Sequence, residues 1–222
     1  SGPVTASDIE QAVRLAITAL GGTGERVWNT KAGSLEWDCW ETVEHLASAL
    51  AFYALQLGPE QPPQSRRIPF AREERREGGP TNLLFLHRDA GPAGLLQGLE
   101  ACAALLAATV RCTPPAKRAY HPYGPSDAEG FAAMAVVEIL VHTHDVAESA
   151  GIDWTPPADL CARALTRLFP HVPAGTAAPW PTLLWATGRI ELDGRPRLTE
   201  WRWYGTPRAD GAPAAVSPGR PV

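Results

Sequence analysis

Apolar residues recur at intervals of three and four through about residue 170, a period that predicts helices. Ile9, Val13, Ala16, Ile17 and Leu20 form the first such run. Ser7-Asp8-Ile9-Glu10 reads as a capping box at its start, and Gly21-Gly22 as its stop. A second helix is expected over residues 37–57, with Trp40, Val43, Ala47, Leu50 and Ala54 near one stripe and Gly58-Pro59 behind it. An Ala- and Leu-rich third helix is expected over 94–111, ahead of Pro114-Pro115. Ser126-Asp127-Ala128-Glu129 reads as another capping box, opening a fourth helix that Gly151 ends. A fifth is expected from a Thr155 cap with proline at the first helical position to about Phe169. Five helices without a βαβ rhythm indicate a mainly α protein, a helical bundle.

Between these runs the pattern weakens. Residues 59–80 mix Pro, Arg and Glu and read as a solvated connection, whose mixed signs argue against an anion site. The apolar run 83–86 fits a strand or one helical turn equally. Beyond the bundle, 181–187 fits two helical turns closed by Gly188. Residues 189–192 and 198–204 flank Asp193-Gly194, the signature of a short β-hairpin, with Trp201 and Trp203 on one face and Arg202 and Tyr204 on the other. The Pro-, Ala- and Gly-rich end after Pro207 is expected to be disordered. The organisation is thus a bundle over 1–174 and a short extension over 175–222.

Composition narrows the class. Of 222 residues, 45% are hydrophobic and 20% charged, as in a globular protein with a core. A net charge of −4 provides no positive field for nucleic acid. No stretch reads as the roughly 18 apolar residues needed to cross a membrane, and the first residues lack a secretory signal pattern. Cys39, Cys102, Cys112 and Cys161 lie far apart with no C-x-x-C pair, so a reduced, cytoplasmic setting is expected. Pairing into a homodimer suits a bundle of this size, with no face singled out.

The chemistry concentrates on the fourth helix. Glu138 and His142 stand four apart, a rotation of only roughly 40°, so both point the same way one turn apart. Their flanks, Ala135-Val136-Val137 and Ile139-Leu140-Val141, are apolar, and a buried carboxylate needs a cation or hydrogen-bond partner. A shared divalent ion and a salt bridge both satisfy that need. His144 diverges from His142 by roughly 200° on a helix and is expected to pack. Asp145, one turn beyond His142, is placed either to orient that ring or as a surface aspartate. A third ligand must come from elsewhere, and His45 on the second helix is the best candidate, against the plainer reading of a satisfied core histidine. Together the three make a His₂Glu set with an open position, a catalytic pattern for zinc. His121, in the turn before the fourth helix, is a candidate pocket residue. No G-x-S-x-G, P-loop, G-x-G-x-x-G or H-E-x-x-H motif is present, so no protein nucleophile is expected beyond the metal ligands.

Trp40-(x)₄-His45-Leu46 and Glu138-Ile-Leu-Val-His142-(x)₂-Asp145, with the spacing between them, resemble the DinB-like superfamily and within it the mycothiol-dependent maleylpyruvate isomerase family. The resemblance covers roughly residues 7–170. It implies a DinB-like bundle, a divalent metal (zinc, with nickel or iron as alternatives) on His45, Glu138 and His142, and mycothiol as cosubstrate. It also implies thiol transfer to, or isomerisation of, a small electrophile. The isomerase carries a larger C-terminal domain that contributes to its thiol site, so the short tail here leaves the substrate undefined. Arg189 and Arg202 in that tail are candidate anchors for an anionic cosubstrate. The rivals are a metal-dependent hydrolase on the same scaffold, with metal-activated water as nucleophile, and a non-catalytic binding protein using the bundle cavity.

Overall fold

The computed structural model of the chain describes residues 2–173, 175 and 177–207. Among them are six helices, α1 (Ala6–Leu20), α2 (Cys39–Leu57), α3 (Gly91–Cys112), α4 (Ala128–Ala150), α5 (Ala158–Leu168) and α6 (Pro179–Ala186). A two-stranded antiparallel sheet joins β1 (Glu73–Glu74) to β2 (Thr81–Asn82). The mainly helical class expected from the periodicity is what the chain adopts. The end after Pro207 lies outside the described residues from 208 onward.

α1 and α2 each pack against both α3 and α4, α5 packs on α4, and α6 packs on α5. α4 is the centre. Phe131, Met134, Val136, Ile139 and Leu140 are fully buried on different sides of it. A helix apolar all round is one surrounded by protein, while Ala132, Ala133 and Ala135 let neighbouring helices approach closely. Gly151 ends it in the left-handed region (φ 66°), with its N–H donating to Ala147 O.

Helix starts depart from expectation for local reasons. α1 is capped by Thr5, not Ser7. Asp8 accepts from the Thr5 N–H at 2.7 Å and also receives both Arg163 terminal nitrogens from α5, each at 2.7 Å. α4 is capped by Asp127, which accepts from Gly130 N–H at 2.8 Å, because the Ser126 hydroxyl donates instead to Gly205 O at 2.6 Å. α5 begins after Pro157, since successive prolines hold the preceding residues extended.

Two helices, residues Arg88–Cys112 and Ala128–Ala150, are long and apolar enough by length and composition to cross a membrane, which the raw sequence did not suggest. The apolar window of the second is 89% buried within the protein, as a core helix should be, and that of the first 33%.

The run 83–86 is neither strand nor helix. The expected C-terminal hairpin keeps its turn but little of its ladder. Asp193 (φ 45°) and Gly194 (φ 76°) supply a left-handed pair, and one bridge joins Leu192 to Arg195. Residues beyond leave that pairing because the bundle offers better partners. Tyr204 N–H donates to Leu168 O at 2.8 Å, and Gly205 accepts from Ser126. A Cβ on Gly205 would displace the flexible end of Met134 and crowd Ser126 Oγ at 3.1 Å, so glycine lets the tail approach α4 closely.

Candidate functional site

A cavity of about 600 Å³ opens where α2, α4, the α2–α3 connection and the tail meet. His45, Glu138 and His142 all line it. His142 Nε2 lies 3.1 Å from Glu138 Oε2, the contact that the four-residue spacing anticipated. The ring centres of His45 and His142 are 5.9 Å apart at an interplanar angle of 89°.

Each ring is oriented from behind. His142 Nδ1 bonds Asp145 Oδ2 at 3.0 Å, and His45 Nδ1 bonds Asn82 Oδ1 at 2.9 Å. With both Nδ1 atoms occupied, His45 Nε2 is left for the cavity and His142 Nε2 for Glu138, and holding each ring from behind is the arrangement that fixes histidine ligands in metal sites. Glu138 Oε1 accepts from Tyr53 OH at 3.2 Å. Among the described residues no group of three His, Cys, Asp or Glu side chains stands at coordinating distances. The donor set nonetheless suits a divalent ion: two oriented imidazoles and one carboxylate, with ring centres near the roughly 5–6 Å that two imidazoles on one tetrahedral ion adopt.

The electrostatics place a positive charge where that set needs one. Burial works against protonation of His142, but Asp145 and Glu138 outweigh it and lift its pKa to about 9. Burial raises Glu138 and Asp145, yet their partners reverse the sign. Glu138 falls below its usual value through His142, His45 and Tyr53, and Asp145 falls to about 2 through His142 and Arg189. The proton on His142 thus does for Glu138 what a cation would do. His45 is pushed toward neutrality, chiefly by burial.

Asp145, with 1% of its side chain exposed, is no surface aspartate. Arg189 reaches it from the tail through Nε at 3.2 Å and a terminal nitrogen at 2.9 Å, so this arginine lines the cavity while holding Asp145. Arg202 lies elsewhere, over Tyr204 (4.5 Å to the ring centre) and Tyr123 (5.6 Å), and does not line the cavity. His144 packs edge-on against Trp180 as expected.

Several site residues escaped the sequence reading. Trp37 sits 4.7 Å from the His45 ring, brought there by a loop that Ser149 pins at both Lys31 O and Gly33 N. Asn82 reaches His45 because β2 pairs with β1. Tyr53 lies two turns beyond His45 on α2, a polar-tipped aromatic on an apolar helix that could have flagged it. Trp201 and Trp203 close the far wall.

His121 lines the cavity and is buried among Tyr53, Tyr123, Phe131 and Trp203. Its Nδ1 accepts from Tyr123 N–H at 3.1 Å, and burial is the main cause of a pKa depressed to about 4. An unfolded histidine titrates near 6.5, so between those values the unfolded chain binds the extra proton, and stability is lost as pH falls. Wild type should lose about 3 kcal/mol between pH 6.5 and 4 beyond the loss shown by His121→Gln, which keeps an acceptor but cannot titrate. Urea unfolding at several pH values checks this, and parallel pH profiles would refute it.

A family model described as the mycothiol maleylpyruvate isomerase N-terminal domain matches residues 9–147. That span contains His45, Glu138, His142 and Asp145, and stops before α5, α6 and Arg189. No curated protein and no solved structure matches the chain.

Proposed function

Because the chain belongs to the family of the mycothiol maleylpyruvate isomerase N-terminal domain, we propose that it is a metal-dependent enzyme using mycothiol to transfer to, or isomerise, a small electrophile. His45, Glu138 and His142 would hold one divalent ion, zinc in the first instance. The observation that carries this reading is the convergence of Glu138 and two back-oriented imidazoles on one cavity of about 600 Å³. Bound there, a divalent ion compensated by a single carboxylate keeps net positive charge and lowers the pKa of a thiol beside it.

The chain's own residues prepare the place. Asn82 and Asp145 hold the rings, and Tyr53 holds one oxygen of Glu138. Trp37, Trp201 and Trp203 give the cavity apolar walls that limit water around a reactive sulfur. No side chain is required to attack the substrate, in keeping with the absence of a nucleophile motif. All four cysteines are free, which supports a reducing, cytoplasmic setting.

Elemental analysis of the purified protein, followed by turnover of a panel of activated alkenes with and without mycothiol, tests the reading. Near one equivalent of a divalent metal and turnover that requires the thiol is the expected result. A protein that takes up no zinc and shows no thermal shift on its addition would overturn it. Thiol-independent hydrolysis by the loaded protein would replace thiol chemistry with hydrolase chemistry.

A further inference from the structure

Among the arginines of the connection between α2 and α3 that have no acidic partner among the described residues, two, Arg67 and Arg72, line the cavity. Arg72 donates only to Thr81 O, at 3.2 Å, and the Arg67 side chain takes part in no hydrogen bond or ion pair. Arg76, Arg88, Arg111, Arg163, Arg167 and Arg189 each lie within 2.9 Å of a carboxylate oxygen. Glu74 on the same connection accepts from Gly78 N–H at 2.7 Å.

Both arginines line the main cavity, and both also line a side pocket of about 140 Å³ that shares His45, Tyr53, His121 and Glu138 with it. Arg72 is exposed and Arg67 half-buried, whereas Glu138 and His142 lie deep, so the pair marks the mouth. Glu138 is the only carboxylate among the described lining residues, and its two oxygens are taken by Tyr53 and His142. The two guanidiniums feel each other. Partial burial and the charge of Arg67 both lower the pKa of Arg72. Like charges gathered at a low-dielectric mouth repel, and an anion placed between them removes that cost while the cavity focuses their field on it.

We propose that Arg67 and Arg72 form an anion subsite that selects substrates carrying a carboxylate, holding that group at the mouth while the rest of the molecule extends toward Glu138, His45 and His142. A guanidinium presents a planar fork of donors that matches a carboxylate two oxygens at a time, which favours this anion over a spherical one. The recognition element therefore lies within the bundle's own connection, apart from the tail. That the carboxylate belongs to the electrophile rests on the proposed function, whereas the subsite itself does not.

Calorimetric titration of metal-depleted protein with succinate, its neutral counterpart succinamide, and inorganic phosphate provides the test. Wild type should bind succinate in preference to phosphate and should not bind succinamide. Arg67→Gln and Arg72→Gln, checked for fold by circular dichroism, should each weaken succinate binding at least about tenfold, the value of one charge-assisted contact. Arg76→Gln, which alters a paired arginine on the same connection, should bind succinate like wild type. No succinate binding by wild type, equal binding of succinamide, tighter binding of phosphate, or unchanged affinity in both variants would overturn the subsite. Zinc uptake is measured separately on the same proteins, so a failure of the metal reading is distinguishable from a failure of this one.

Discussion

His142→Ala is expected to empty the site. The substitution removes the one ring that touches both Glu138 and Asp145, and with it a donor that no neighbouring side chain replaces. Metal content after dialysis should fall from near one equivalent to below a tenth. Mycothiol-dependent turnover should fall roughly a thousandfold, the several kcal/mol of charge stabilisation that a catalytic ion supplies. The bundle should still fold, since the buried apolar residues of α4 are untouched, and circular dichroism would verify it. A variant that keeps its metal would remove His142 from the ligand set.

The second large effect lies outside the family's matched span. Arg189→Leu strips the guanidinium from a carboxylate that is 1% exposed. Asp145 then keeps His142 as its remaining partner, and losing one of two charge-assisted contacts to a buried acid costs about 1.5–3 kcal/mol, so a chain of this length should lose roughly 5–10 °C of thermal stability. Metal affinity should drop by about 10–100-fold, because Asp145 no longer holds the His142 ring in one orientation. Asp145→Asn combined with Arg189→Leu separates the two consequences. Neutralising the acid that has lost its guanidinium should recover most of the stability, while metal affinity stays low for want of the carboxylate behind the ring. Additive losses in the double variant would show that the pair is not coupled.

These two sites differ in how readable they were. His142, Glu138 and Asp145 lie within two turns of one helix, so their mutual reach follows from 3.6 residues per turn alone. The helical periods and the stop at Gly151 were legible for the same reason. Asn82 and Arg189 were another matter. Each meets its partner across a long stretch of chain, 37 residues to His45 and 44 to Asp145, and no periodicity encodes such a meeting. The connection over 59–80 read as solvent-facing because its charges were mixed in sequence. Folding sorts them, sending Arg76 to Glu41 and leaving Arg67 and Arg72 at the cavity. Caps were misplaced by one or two residues where a tertiary partner intervened, Arg163 at Asp8 and Gly205 at Ser126. The hairpin turn was visible, but the tail's preference for α4 and α5 over its own first arm is a tertiary choice.

The tail's crossing of α4 also fixes an order of events during synthesis. Asp145 and Arg189 are 44 positions apart, and at about 5–20 residues per second a ribosome needs roughly 2–9 s to travel between them. Throughout that interval His45, Glu138 and His142 already exist while Trp201, Trp203 and the guanidinium behind Asp145 do not. A nascent bundle is therefore open on the side that the finished protein closes. Afterwards the approach that remains passes two unpaired arginines, whose charge repels a cation. On the proposed reading, the wall behind His142 is complete only once Arg189, Trp201 and Trp203 have been made.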